Sequence, residues 1–115
     1  MNYIDGFVTP VSAANKAAFI QHSKAMGALL KKFGALSVVD CWGDDVPEGK
    51  LTSFPMAVRL EPSEVVVFSW IEWPNKAVRD AGMQRAMADP RMSAAPMPFD
   101  GKRLIYGGFQ IVAKS

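Results

Sequence analysis

The chain has 115 residues, with 13 basic and 11 acidic side chains, one histidine and one cysteine. This length suits one domain and is too short for two, so we expect a single domain over residues 1–115. One cysteine excludes an internal disulfide and a multi-cysteine metal cluster. A net charge of +2 favours neither nucleic acid nor a membrane surface as a partner.

The N-terminal residues lack the basic start and the apolar run of a secretory signal. The longest strongly apolar run, at 65–73, is far too short to span a bilayer. We therefore expect a cytoplasmic protein, a compartment in which a lone cysteine is ordinary.

The first elements are predicted to be a strand and a helix. Residues 3–10 have the composition of a strand. Ser12 or Asn15 can cap a helix, because either side-chain oxygen can accept an amide hydrogen of the first turn. Apolar residues at spacings of three and four extend this helix to about Phe33. Gly34 is then placed to end it in a left-handed conformation.

Three further strands are predicted in the middle of the chain. Residues 35–43 are typical of a strand, and a polar loop with proline and glycine follows at 44–53. Apolar residues alternate over 54–60, and β-branched and aromatic residues dominate 65–73. The last two segments are predicted to pair as a hairpin.

The remaining residues predict a helix and a final strand. Asn75 can cap a helix that ends near Ala88, since a proline follows shortly afterwards. A connection rich in proline and methionine occupies 90–103, and a strand follows at 104–112.

The order strand, helix, strands, helix, strand predicts an α+β fold of the ferredoxin-like type. In this sandwich one antiparallel sheet carries two helices on one of its faces.

Alternation along the strands assigns side chains to the two faces of the sheet. The face expected beneath the helices is nearly all aliphatic and carries Ile4, Val8, Val65, Val67, Ile71, Ile105, Phe109 and Ile111. The opposite face mixes aromatic and polar residues: Tyr3, Asp5, Phe7, Asp40, Trp42, Val66, Phe68, Trp70, Glu72, Tyr106 and Gln110. Monomers rarely expose so large an apolar patch, so we predict a homodimer in which two sheets cover each other.

Polar residues on this aromatic face predict a pocket between the two sheets. Its candidate lining residues are Asp5, Asp40, Trp42, Trp70, Glu72 and Tyr106. Burial among rings raises the proton affinity of carboxylates, so one of them can act as a proton shuttle while the rings hold an apolar or planar small molecule. The alternative is a non-catalytic homodimeric module, in which these carboxylates pair with arginines and only fix the register of the dimer.

Other candidate residues favour structural roles. His22 lies on or beside the apolar face of the first helix, so packing is favoured over general-base catalysis. It has no partner at metal-ligand spacing, and no metal or other cofactor is predicted. Cys41 falls by parity on the helix-facing side, which favours a small buried hydrophobe over a nucleophile. The connection at 90–103 can be a lid over the pocket or an arm that packs on the partner, and both alternatives stay open.

Several segments along the chain form a recognisable set: DGFV at 5–8, FGAL at 33–36, DCWGDDVP at 40–47, VVFSWIEWP at 66–74, DPRM at 89–92 and MPFDGKRLIYGGF at 97–109. This set resembles a bacterial family called domain of unknown function 1428. The resemblance implies a dimeric α+β barrel, in which two ferredoxin-like sandwiches close their sheets around a shared interior. The family brings no established activity that can be carried over to this chain.

Overall fold

Residues 2–94 and 96–115 are described by the computed structural model of the chain. The elements are β1 (Tyr3–Ser12), a 3-10 turn (Ala13–Asn15), α1 (Lys16–Lys32), β2 (Ser37–Trp42), a short helix α2 (Phe54–Ala57), β3 (Glu64–Trp73), α3 (Lys76–Ala88), a second 3-10 turn (Pro90–Ser93) and β4 (Ile105–Gln110).

The four strands form one sheet in the order β2-β3-β1-β4, and every neighbouring pair is antiparallel. The long helices α1 and α3 contact each other and pack on the same face of this sheet. The predicted α+β ferredoxin-like fold is therefore confirmed at the level of one chain.

The predicted limits of the two long helices agree closely with the structure. Gly34 follows α1 with a φ of +115°, a value that glycine adopts without strain. The side chain of Asn75 accepts a hydrogen bond from the amide of Val78 at 2.8 Å and caps α3 as predicted. Neither Ser12 nor Asn15 makes a side-chain cap, so that part of the prediction for α1 is wrong.

The predicted strand at 54–60 is also wrong. The Ser53 hydroxyl accepts a hydrogen bond from the amide of Met56 at 3.1 Å, and Pro55 occupies the first turn, so α2 forms instead. As a consequence the predicted hairpin is absent from the described residues, and β3 pairs with β1 and β2.

The cross-strand register decides which residues share a face, because directly opposed residues of an antiparallel pair point to the same side. Asp5 lies opposite Ile71, on the side that α1 and α3 cover. Val8 lies opposite Phe68, on the side that the helices leave free, which we call the open face. The predicted sorting was correct for β3 and reversed for β1, β2 and β4. The register between strands depends on contacts that the alternation within one strand does not encode.

The reversal changes the composition of both faces. On the side of the sheet that carries the helices lie Tyr3, Asp5, Phe7, Val38, Asp40, Trp42, Val67, Ile71, Trp73 and Tyr106. On the open face lie Ile4, Gly6, Val8, Val39, Cys41, Val66, Phe68, Trp70, Glu72, Ile105, Gly107 and Phe109. Trp73 and Val67 are fully buried under the helices. Val58, which follows α2, packs on Val8 and Val66 and covers one end of the open face.

Candidate functional site

The six residues predicted to line one pocket lie on opposite faces of the sheet. Trp70 and Glu72 are on the open face, whereas Asp5, Asp40, Trp42 and Tyr106 are on the helix side. A single chain therefore does not bring the six residues together. Of the six, Trp70 and Tyr106 border a groove on the open face, Asp40 and Trp70 border a cavity beneath α1, and Asp5, Trp42 and Glu72 line neither.

The surroundings of Asp5 indicate a structural role. Its carboxylate is only 4% exposed, and it accepts a hydrogen bond from Trp73 Nε1 at 2.9 Å. Arg79 of α3 donates from Nη2 at 2.8 Å, and this pairing raises the pKa of the guanidinium. The guanidinium also lies over the Tyr3 ring, 5.1 Å from its centroid. Asp5 therefore ties α3 to the centre of the sheet and has little free capacity for a ligand.

Three other candidates occupy the margins of the sheet. Glu72 on the open face accepts a hydrogen bond from Asn2 Nδ2 at 2.5 Å. Trp42 is half-buried beneath α1, with its ring centroid 6.2 Å from that of Phe19. Tyr106 is 77% exposed on the edge strand β4, where its ring stacks on Phe7 at a centroid distance of 6.3 Å.

The open face contains a broad groove of about 620 Å³. Its lining residues are Ile4, Gly6, Phe7, Val8, Phe68, Trp70, Ile105, Tyr106, Gly107 and Phe109. The Phe109 ring lies over the two glycines, since a Cβ atom placed on Gly6 or Gly107 would be 3.5 or 3.4 Å from it. Apart from the Tyr106 hydroxyl, the lining side chains are hydrocarbon or indole groups, which suit an apolar occupant.

A smaller cavity of about 160 Å³ lies on the other face, between α1 and the sheet. Asp40 accepts a hydrogen bond there from the Ser69 hydroxyl at 2.5 Å and forms a second one with Ser23 of α1. The His22 ring meets the Phe99 ring edge-on at a centroid distance of 5.7 Å. Burial lowers the pKa of His22 below its ordinary 6.5, while the negative charge of Asp40 acts in the opposite direction.

Sequence reasoning named Asp40 but missed its partners. Ser69 faces Asp40 directly across the β2–β3 pair, which only the strand register reveals. Ser23 follows His22 on α1, so the sequence already offered it as a polar residue beside the one histidine. Phe99 belongs to the connection at 90–103, and it packs on both His22 and Phe19.

The connection at 90–103, of which residue 95 lies outside the described part, is fixed to the sheet near its end. Arg103 forms an ion pair with Glu64 of β3 at 2.7 Å and with Asp100 at 2.9 Å. Phe99 and Leu104 line the cavity beneath α1. In one chain this connection therefore covers the cavity on the helix side, and packing of it on a partner stays a prediction.

Cys41 is exposed, so its predicted burial is wrong. It lies on the edge strand β2 opposite Phe68, and the reversed register places it on the open face. Over residues 2–94 and 96–115, the structure holds no cluster of three or more side chains suited to a metal ion. None of the helices in the described part of the chain has both the length and the hydropathy needed to cross a membrane.

Comparison with known proteins agrees with this picture. The sheet and its two long helices define an α+β protein of the ferredoxin-like class. Within that class the chain belongs to the family described as "Protein of unknown function (DUF1428)", whose model matches residues 2–101. The predicted family is thereby confirmed.

Relatives and a solved structure extend the comparison. The chain is 54% identical over 114 residues to "Uncharacterized protein YbaA" of Escherichia coli K12, with 97% of each chain covered. A protein of the same name from Shigella flexneri has the same identity and coverage. An uncharacterized NIPSNAP domain protein from Burkholderia xenovorans has a similar structure, with a TM-score of 0.56 and 16% identity over 96% of this chain and 95% of that one. The last similarity shows the fold alone.

Proposed function

We propose that the protein is a homodimer that binds a small apolar or planar molecule between its two sheets. The observation that carries the proposal is the apolar groove of about 620 Å³ on the sheet face opposite the helices. Phe68, Ile105 and Phe109 border it and are 45%, 43% and 60% exposed in one chain. Exposed apolar patches of this kind mark binding surfaces.

A second copy of the same face is the occupant that symmetry favours, because most homo-oligomers are closed and two-fold. Mutual burial would remove the apolar side chains of both copies from water, which is the main favourable contribution to protein association. The family resemblance, which implies a dimeric α+β barrel, supports the same arrangement.

The groove also supports a bound small molecule. Gly6 and Gly107 face each other in the β1–β4 pair, and because neither has a side chain the Phe109 ring lies over both. Trp70 and Phe109 add rings to the groove wall, and such rings favour planar ligands. The volume lies within the range of about 300–1,000 Å³ that is typical of small-molecule sites.

The dimer is tested by the mass of the protein in solution at micromolar concentration. We expect twice the 12.5 kDa mass of one chain in light scattering. Phe68→Lys should give a folded monomer, because it places a charge within the groove. Met87→Lys is the matched control: Met87 is 70% exposed on α3, so this variant should remain dimeric. A wild-type protein with the mass of one chain would overturn the proposal.

Ligand binding is tested with an apolar fluorescent dye, anilinonaphthalene sulfonate. The wild-type dimer should bind the dye, and Gly6→Val should remain dimeric and bind it at least tenfold less, because the added methyl groups push the Phe109 ring into the groove. A dimer that binds no dye would contradict the ligand part of the proposal. It would favour the non-catalytic homodimeric module, with an interface filled by side chains.

A further inference from the structure

The cavity beneath α1 opens on the opposite side of the sheet from the dimer groove, and Phe7 and Trp70 border both. It has a volume of about 160 Å³. Its wall combines aromatic and aliphatic residues with a small polar group made of His22, Ser23, Asp40 and Ser69. Elements from four parts of the chain meet here: β1, α1, the β2–β3 pair and the connection that carries Phe99.

Asp40 provides free hydrogen-bonding capacity at this cavity. The residue is exposed on the edge strand β2, so solvent reaches the site. Its carboxylate accepts hydrogen bonds from Ser69 and Ser23, whereas an ionised carboxylate offers about four acceptor positions. Among residues 2–94 and 96–115, no lysine or arginine forms an ion pair with it. The remaining positions are available to a donor on a ligand.

His22 adds a second polar group beside the same space. It is half-buried, and its ring packs edge-on against Phe99. Burial lowers its pKa below 6.5 and so favours the neutral imidazole, which has one donor and one acceptor nitrogen, while the charge of Asp40 opposes the shift. The polar end of the cavity thus accepts hydrogen bonds more readily than it donates them.

The size of the cavity limits the ligand. An apolar protein cavity of about 150 Å³ holds one benzene molecule. Phe7, Phe19 and Phe99 supply aromatic walls.

We propose that this cavity is a binding site for a single-ring compound with a hydroxyl group. The hydroxyl donates to Asp40, and the ring packs against Phe19 and Phe99. The site is complete within one chain, so binding does not require the dimer.

The test uses phenol as the probe and anisole as its matched analogue, which has the ring but no donor. Binding is followed by protein amide and methyl NMR at pH 7. Phenol should bind with a millimolar dissociation constant, as expected for a ligand of this size. It should shift the resonances of His22, Ser69 and Met26, and anisole should bind about tenfold more weakly.

Variants test whether Asp40 is the residue that accepts the hydrogen bond from the phenol hydroxyl. Asp40→Asn should weaken phenol binding about tenfold and leave anisole binding unchanged, because only phenol uses the carboxylate. Asp44→Asn is the charge-matched control on an exposed loop and should bind phenol like the wild type. If Asp40→Asn does not fold, Ser23→Ala serves instead: by freeing an acceptor position on Asp40 it should strengthen phenol binding and leave anisole binding unchanged, and equal strengthening for both compounds or none for phenol would contradict the proposal.

Three results would overturn the proposal. Phenol and anisole would bind equally, or Asp40→Asn would bind phenol like the wild type, or the shifted resonances would belong to open-face residues such as Ile4 and Val8. The last result would assign the probe to the groove between the sheets. A monomeric protein that binds phenol beneath α1 would support this site while contradicting the proposed dimer.

Discussion

Arg79 of α3 holds the carboxylate of Asp5 in β1 through two of its nitrogen atoms: Nη2 lies 2.8 Å and Nε 3.1 Å from Oδ1. The two residues are 74 positions apart in the sequence. Their side chains are 24% and 5% exposed, so the pair is largely removed from water. It joins the last long helix to a central strand of the sheet.

Removal of Asp5 should therefore destabilise the fold. Asp5→Ala leaves the Arg79 charge and the Trp73 indole without their acceptor, and we expect a loss of about 3 kcal/mol in the free energy of unfolding, measured with urea. Asp80→Asn on the same helix is the control. Asp80 pairs with Arg79 and Lys76 at an exposed position, so little change is expected. Equal losses in the two variants would contradict a buried structural role for Asp5.

Gly82 should not tolerate alanine, even though it lies inside α3. A Cβ atom at this position would come within 2.5 Å of the Trp73 ring and 2.6 Å of the Phe33 carbonyl oxygen. We expect Gly82→Ala to cost about 2 kcal/mol, which outweighs the gain of about 1 kcal/mol from helix propensity.

Gly27 of α1 provides the opposite case. There a Cβ atom would lie 3.7 Å from Val38, which is ordinary van der Waals contact. Gly27→Ala should therefore stabilise the protein by up to about 1 kcal/mol. Thermal unfolding should therefore give a lower melting temperature than the wild type for Gly82→Ala and a higher one for Gly27→Ala. A stabilised Gly82→Ala variant would contradict the close packing of α3 on Trp73.

His22 should make stability depend on pH near neutrality. Its pKa in the folded protein is lowered from 6.5 by burial, with Asp40 opposing the shift, so the unfolded chain binds the proton more readily. Stability should then fall as the pH decreases below 6.5. His22 is the single histidine of the sequence, so His22→Gln should remove most of this dependence between pH 7.5 and 5.5. Identical pH profiles for wild type and variant would contradict the burial of the ring.

The ion pair of Glu64 with Arg103 should weaken in acid. Arg103 lowers the pKa of Glu64 below its ordinary 4.5, so the stabilisation is present above pH 4.5 and is lost as the pH falls through the folded-state value. Glu64→Gln should reduce the urea midpoint at pH 6, and the difference from the wild type should shrink as the pH falls below 4.5. Amide exchange around residues 99–104 should increase in the variant at pH 6, because this pair fixes the end of the connection that carries Phe99. An unchanged exchange rate would contradict that role.

The order of elements could be predicted from the sequence because it depends on local signals. The Asn75 cap, the left-handed Gly34 and the apolar spacing of α1 are all readable within a few residues. The prediction of a strand at 54–60 was wrong because the alternation of apolar residues there is also compatible with a helical turn. Ser53 and Pro55 supply the capping that decides for the helix.

The faces of the sheet depend on contacts between distant residues. β1 is apolar on both sides, so its alternation does not show which side the helices cover. The charge of Asp5 suggested that its side of β1 faces solvent, but hydrogen bonds from Arg79 and Trp73 allow the carboxylate to be buried. The candidate site could not be predicted for the same reason, because Asp40 contacts Ser69 only through the β2–β3 register.

The position of β1 in the sheet has a consequence for synthesis of the chain. β1 is made before both of its partners, β3 on one side and β4, which ends at Gln110, on the other. During synthesis one backbone edge of this apolar strand therefore stays without its partner until residues 105–110 have left the ribosome. Truncation before β4 should yield aggregates for this reason.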